Sequence, residues 1–413
     1  MTHAVEGALH AGDTPGDSGR RQPLIMLVAG EASGDRHAAD SFRELRRLIP
    51  DVRGIGMGGP AMREAGVEIV HDSAGMAVIG VVEVIRHYRH IRRVLKKMQT
   101  LVCGRRPDLL ICVDYKEFNF HLARAAKACG VRVLFYVGPQ FWAWRPGRVK
   151  TYGQAVSHMA VIFPFEVPHY QAAGVPVTYV GHPLAGKVAP RMTRAWALTR
   201  FGLGGGGPIV GLLPGSRANE IRRLLPVMLE SAQRLAERVP GVRFVLAEAP
   251  SVESSLIEEA LSGHRLAVHR VPGLDYDLLQ CCDAVVTSSG TATLELALLK
   301  LPMVIIYRLS PVTYWLGRLL VKIPFIGLPN ILAGHSVVRE FIQHDANPEN
   351  IVAEIEHILN DATYAASMRA ALSEVAGILG AGGGSANLAR LAAELLSGGG
   401  SPSSGKSSIE DMR

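Results

Sequence analysis

The sequence predicts an α/β protein built of two doubly wound lobes, each a parallel sheet covered by helices on both faces, with a cleft between them. Three observations lead there. The chain has 413 residues, beyond the size at which a single hydrophobic core usually stops growing, so two domains are the default. Short apolar runs alternate with helical periodicity along most of its length, the pattern of strand–helix–strand units. The same progression of buried run, glycine-containing turn and amphipathic helix opens both halves, at Leu24 and again at Ile209.

In the first half the spacing predicts a strand at Leu24–Ala29, a turn at Gly30–Gly34 and a helix at Asp35–Leu48. Further strands are expected at Leu109–Val113, Val131–Val137 and Met159–Phe163. In the second half Ile209–Leu213 reads as a strand, Pro214–Arg217 as a turn and Asn219–Arg238 as a helix. Phe244–Ala247, Ala284–Thr287 and Met303–Tyr307 continue the strand series. Consecutive glycines in Gly202–Pro208 mark the change from one half to the other, so the boundary falls within 186–207. The expected division is an N-terminal extension (1–21), a first lobe (22–186), a second lobe (187–363), C-terminal helices (364–397) whose return to the first lobe is left open, and a Gly/Ser-rich tail (398–413). Ligands should bind at the carboxyl ends of the parallel strands.

Composition narrows the class. With 48% hydrophobic and 20% charged residues, the chain has apolar material for two ordinary cores. It has no apolar run of the roughly 18 residues needed to span a bilayer, and residues 1–21 lack the apolar stretch of a secretory signal. Cys103, Cys112, Cys129, Cys281 and Cys282 form no CxxC pair, so buried reduced thiols and a cytoplasmic location are expected. The net charge of +7 calls for an anionic partner without choosing among nucleic acid, acidic lipid and phosphorylated metabolite. No zinc-finger, RRM or leucine-zipper pattern supports nucleic acid.

One basic surface does stand out. Val81, Val84, Ile85, Tyr88, Ile91, Leu95, Met98 and Val102 recur at helical spacing, with Arg86, Arg89, His90, Arg92, Arg93, Lys96 and Lys97 on the remaining faces. A solvated helix packed on its own sheet has this pattern. So does a membrane-surface helix that follows the apolar loop Met76–Val82 and attracts anionic headgroups. Tyr314–Leu328 repeats the mixture, with Arg318 and Lys322.

Four constellations carry possible chemistry. Ala29-Gly30-Glu31-Ala32-Ser33-Gly34-Asp35 is a strand-to-helix turn without GxGxxG or Walker spacing. Its carboxylates would repel phosphate, so it suits sugar hydroxyls. Leu213-Pro214-Gly215-Ser216-Arg217, with Glu220 a turn later, puts at a strand end an arginine able to hold a phosphate by paired hydrogen bonds and offset leaving-group charge. Ser288-Ser289-Gly290-Thr291-Ala292-Thr293-Leu294-Glu295 offers hydroxyls and amides to an anion at a helix start, and Glu295 could accept ribose hydroxyls. No DxD triplet lies near these turns, so no metal is expected and arginine and helix ends would neutralise a diphosphate. Asp114 directly follows a predicted strand, with Glu117 and Asn119 beyond it; in a cleft it could take a proton from an attacking hydroxyl. Tight structural turns, N-caps and a surface arginine remain the plain alternatives at these places.

Together these motifs resemble the lipid-A-disaccharide synthases, inverting glycosyltransferases of GT-B architecture. The resemblance adds Tyr136-Val137-Gly138-Pro139-Gln140-Phe141-Trp142-Ala143-Trp144-Arg145 and Leu328-Pro329-Asn330-Ile331-Leu332-Ala333-Gly334, and runs in order from about Leu24 to Gln343. It implies UDP-2,3-diacylglucosamine as donor and 2,3-diacylglucosamine 1-phosphate as acceptor, without a cofactor, at the cytoplasmic face of the inner membrane. It gives Asp114 the role of base, Arg217 that of diphosphate stabiliser, and Glu31, Ser33 and Asn330 substrate contacts. Ser289, Gly290, Thr291, Glu295, Glu340 and Gln343 would hold the nucleotide. Two departures from the family pattern are Lys116-Glu117, where Pro and Asp are more usual, and Gly138, where Ser is usual. A homodimer is compatible with this reading. Alternatives are another GT-B enzyme acting on UDP-N-acetylglucosamine, either a lipid-linked glycan transferase or a 2-epimerase, and a non-catalytic nucleotide-sugar-binding paralogue.

Overall fold

The computed structural model describes residues 21–74, 76, 81–139, 147–309, 314, 324–380 and 382–398, without the side chains of 81–87. The Gln140–Arg145 part of the aromatic motif, most of the loop before Val81, and Arg318 and Lys322 lie outside the described residues.

The first lobe runs β1 (Leu24–Ala29), α1 (Ala32–Leu48), β2 (Arg53–Gly58), α2 (Pro60–Glu64), β3 (Val67–Asp72), α3 (Val81–Arg105), β4 (Leu109–Val113) and α4 (Lys116–Ala128). It continues through β5 (Arg132–Tyr136), α5 (Arg148–Ala155), β6 (His158–Val161), α6 (Glu166–Ala172) and β7 (Val177–Tyr179). Its sheet is parallel, in the order β3-β2-β1-β4-β5-β6-β7.

The second lobe comprises α7 (Arg194–Arg200), β8 (Ile209–Leu213), α8 (Ala218–Arg238), β9 (Arg243–Glu248), α9 (Ser254–Ser262), β10 (Val268–Pro272) and α10 (Tyr276–Leu279). β11 (Ala284–Ser288), α11 (Ala292–Leu298), β12 (Met303–Tyr307), α12 (Leu328–Ala333), β13 (Arg339–Ile342) and α13 (Pro348–Asn360) follow. This sheet is also parallel, in the order β10-β9-β8-β11-β12-β13. Both sheets therefore reverse direction beside their first strand, between β1 and β4 and between β8 and β11. α14 (Ala362–Leu379) packs on α11, α12 and α13, and α15 (Gly384–Leu396) alone crosses back to lie against α1.

The central strands are buried on both faces, and successive side chains enter opposite cores as the two-residue period requires. Met26, Val28, Leu110, Cys112, Val133 and Phe135 enter one core with Met98 and Val102 of α3. Ile25, Leu27, Ile111, Val113 and Leu134 face the other way, into an apolar cluster that continues into the second lobe. β2, written Arg-Gly-Ile-Gly-Met-Gly, was not expected as a strand. Its glycines are packing devices: a Cβ at Gly56 would strike the backbone of Leu27, and one at Gly54 the Phe42 ring.

The thiol expectation needs correction. α3 and α4 lie side by side, which brings Cys103 and Cys129 to a Cα separation of 5.5 Å, and the two are disulfide-linked. Cys112, Cys281 and Cys282 are free and buried. The helical stripe of α3 also divides. Of its members Met98 and Val102 are buried, Ile91 and Leu95 half-buried and Tyr88 56% exposed, while Val94, outside the stripe, is buried.

Asp35, buried at the start of α1, is a structural clasp. Its carboxylate accepts the backbone N–H groups of Gly59 (2.6 Å), Ala61 (2.9 Å) and Met62 (3.2 Å), the orphan donors around the start of α2. Asp35→Ala should lower unfolding free energy by about 2–4 kcal/mol, because buried donors to a charged acceptor would be stranded. Urea denaturation reads this directly; a loss below about 1 kcal/mol would show that water replaces the carboxylate.

Candidate active site

The first lobe offers two carboxylates at its reversal point. Asp114 and Tyr115 leave β4 in consecutive left-handed conformations, φ +48° and +45°, a strained arrangement for residues with side chains. Hydrogen bonds hold it there. The Asp114 N–H donates to the Tyr136 carbonyl at 3.0 Å. The amide of the wholly buried Asn119 donates to the carbonyls of Asp114 (2.8 Å), Val113 (3.3 Å) and Val28 (3.4 Å). One side chain thus ties the ends of β1 and β4 together.

Gly30 is required here for Tyr115, not for a ligand: a Cβ would run into the Tyr115 ring, whose hydroxyl donates to the Met76 carbonyl at 3.1 Å. Glu31 is the N-cap of α1, and Ser33 lies in its first turn. Burial raises the Asp114 carboxyl above its ordinary range, opposed by Lys116 and by a hydrogen bond from the Tyr115 backbone. Glu31 is raised too, by burial first and then by the charge of Asp114, while Arg217 and Lys116 pull it down. Glu31 thus senses a carboxylate of its own lobe and an arginine of the other.

Both departures from the expected motif have local causes. Glu117 is bound by the Arg148 guanidinium at 2.8 and 3.3 Å, which joins α4 to the start of α5. At Gly138 a Cβ would come within 2.8 Å of the Tyr170 hydroxyl and the Met159 methyl.

In the second lobe the turns after β8 and β11 line a cavity of about 500 Å³. Arg217, Ser289, Gly290, Thr291 and Glu295 all border it. Gly215 has φ +112°, and a Cβ there would meet the Glu220 side chain. Glu220 shapes this turn by accepting the Ser216 N–H at 2.9 Å and the Arg217 guanidinium at 3.0 Å. Glu295 accepts the Tyr276 hydroxyl at 2.7 Å. Burial raises the Glu295 carboxyl, against the pull of Tyr276 and of Arg36.

Asn330, Glu340 and Gln343 do not border that cavity. Asn330 is wholly buried and its amide is used within the protein. It donates to the Val338 carbonyl (2.9 Å) and Glu340 (2.7 Å) and accepts from the N–H groups of Val337 (2.7 Å) and Val338 (3.0 Å). Glu340 in turn accepts the N–H groups of Ile326 (2.8 Å) and Gly327 (3.0 Å), and the Ser289 hydroxyl donates to the Ile326 carbonyl at 2.9 Å. The pair therefore reaches the cavity through the 326–327 backbone. Gln343 clamps the backbone of Leu309, accepting its N–H at 2.6 Å and donating to its carbonyl at 3.2 Å.

Two residues absent from the sequence expectation border or support the cavity: Arg36, which reaches it from the first lobe, and Tyr276. Neither carries a spacing signal: Arg36 matters only because the lobes face one another, and Tyr276 because the second lobe folds it against Glu295.

Two parallel sheets of this order, with carboxylate, arginine and hydroxyl turns gathered at their reversal points, define the GT-B architecture. Similar folds include a UDP-N-acetylglucosamine 2-epimerase from Listeria monocytogenes (TM-score 0.61, 13% identity, 89% of this chain and 94% of that one). The calicheamicin glycosyltransferase CalG4 is another (TM-score 0.58, 15% identity, 92% and 99%). Residues 25–376 match the family model for lipid-A-disaccharide synthetase. The lipid-A-disaccharide synthase of Geobacter sulfurreducens is 51% identical over 372 residues, 90% of this chain and 97% of that protein. That of Nitrosococcus oceani is 46% identical over 376 residues, 91% and 97%. The chain belongs to the lipid-A-disaccharide synthetase family, glycosyltransferases of lipid A biosynthesis.

The raised Asp114 carboxyl has a stability consequence. Between its unfolded and folded pKa values the native state binds more protons than the unfolded chain, so stability falls as pH rises through that window. Asp114→Asn, which also tolerates a left-handed φ, should melt higher than the parent at neutral pH. The gap should close below the ordinary carboxylate range. Thermal melts at pH 3.5 and 7.5 test this, and a lower melting point at pH 7.5 would refute it.

Proposed function

We propose that the chain transfers 2,3-diacylglucosamine from UDP-2,3-diacylglucosamine to 2,3-diacylglucosamine 1-phosphate with inversion. The products are the β-1,6-linked disaccharide 1-phosphate and UDP. Asp114 takes the proton of the acceptor's 6-hydroxyl as that oxygen attacks the donor's anomeric carbon and the bond to the diphosphate breaks. Arg217 and the Ser289–Thr291 turn receive the charge that develops on UDP. Glu295 accepts ribose hydroxyls, and Glu31 and Ser33 contact sugar hydroxyls. Asn330 and Glu340 act by fixing the backbone at 326–327, and Gln343 by fixing Leu309. The observation that carries this reading is the cavity at the carboxyl ends of β8 and β11, where Arg217, Ser289, Gly290, Thr291 and Glu295 of the second lobe meet Arg36 of the first. A carboxyl raised by burial is also better matched to proton abstraction near neutral pH than an ordinary one.

With both substrates in detergent, the purified protein should release UDP only when acceptor is present. Release without acceptor would favour hydrolysis or an epimerase-like route. Asp114→Ala should lower kcat by about 10²–10⁴-fold with UDP affinity little changed. Unimpaired turnover would remove Asp114 from the role of base.

We also infer that α3 rests on an anionic membrane surface, at the cytoplasmic face of the inner membrane. Arg89, His90, Arg92, Arg93, Lys96 and Lys97 are all solvent-exposed beside the exposed Tyr88. Among the described residues no helix is long and apolar enough to cross a membrane. Binding to vesicles rich in anionic lipid should be strong at low salt and weaken at high salt, where screening shortens the reach of these charges. Failure to sediment with such vesicles at low salt would rule the surface out.

A further inference from the structure

We propose that Arg36, on the first lobe, is a second ligand of the donor's diphosphate, so that the nucleotide is gripped from both walls of the cleft. The inference rests on the nucleotide-sugar reading above and adds a binding residue to it. Among the described residues lining the 500 Å³ cavity, the cations are Arg36 and Arg217. Arg217 is already bound to Glu220 at 3.0 Å, which offsets much of its charge. The other carboxylate there, Glu295, is held by the Tyr276 hydroxyl. Two arginines against two carboxylates leave a lining with no net charge, ill-suited to a diphosphate unless one cation is free to turn to it.

Arg36 is that cation. Its side chain is exposed, and among the described residues no ion pair or hydrogen bond engages it. Its field nevertheless crosses the cleft, since it pulls down the Glu295 carboxyl and the Tyr276 phenol of the second lobe. Its base is firmly set. The preceding residue is Asp35, whose three hydrogen bonds to the 59–62 backbone fix the first turn of α1. A firmly set stem with an unpaired guanidinium suits a residue that engages phosphate oxygens.

Titration calorimetry with uridine, UMP and UDP on the full-length wild type, Arg36→Ala and Arg36→Lys separates a diphosphate contact from other effects. Arg36→Ala should weaken UDP roughly tenfold and leave uridine, which has no phosphate, unchanged. UMP should lose less than UDP, and Arg36→Lys should recover part of the affinity as a point charge. The KM for the UDP-sugar should rise in parallel. UDP affinity and kcat/KM both equal to wild type in Arg36→Ala would overturn the proposal. So would equal losses for UDP and uridine, which would mark a base-side or folding effect. Wild-type protein that binds no UDP at all would sink the donor reading itself, and this inference with it.

Discussion

Parallel strands leave a gap for a ligand only where neighbouring connections run to opposite faces of the sheet, and that constraint decides the layout of this molecule. The reversals between β1 and β4 and between β8 and β11 lie in separate sheets. The turns after those four strands carry Glu31 and Ser33, Asp114, Arg217, and Ser289 to Thr291. Chemistry that needs a base on one side and a charge acceptor on the other thus falls on residues far apart in sequence. The apolar cluster shared between the lobes keeps those walls opposed.

The candidate site combines unfavourable local choices that the surroundings enforce. Asp114 combines a left-handed backbone with partial burial of a carboxylate, and either alone costs free energy. Asn119 offsets the backbone part by holding three carbonyls at once. Glu220, Glu340 and Asn330 hold turns of the second lobe in the same way. Polar residues in such sites divide into those that meet substrate and those that keep the former in place. Sequence alone cannot make that division.

That limit is visible in what could be read beforehand. The strand–turn–helix rhythm revealed β1, β4, β8 and β12 with their observed bounds, because buried parallel strands are short continuous apolar runs. β2 escaped because its glycines mimic a turn, and β13 because Arg339 and Glu340 break the apolar pattern. The cavity-lining residues Arg217, Ser289, Gly290, Thr291 and Glu295 were legible, since turn chemistry at a strand end is local. The internal bonds of Asn330 and Glu340 were not legible, because motif identity does not say which way a side chain is already committed. The Cys103–Cys129 link depends on the packing of two helices whose cysteines are 26 residues apart, for which the sequence offers no spacing signal.

The return of α15 to the first lobe changes what kind of machine the two lobes form. The chain passes between them once through 180–193 and again through 380–384, where Gly380, Gly382 and Gly383 take positive φ. α15 is anchored at both ends of its docking: the Asn387 amide donates to the Val180 carbonyl at 2.9 Å, and Arg132 binds the Leu395 carbonyl. Tyr179 adds a bond to the Leu379 carbonyl at 3.1 Å, so the two crossings run side by side. Bodies joined by one tether can swivel about any axis, whereas two adjacent tethers define a line, as the knuckles of a door hinge do. A second crossing beside the first therefore removes axes of relative rotation that a single linker would leave free.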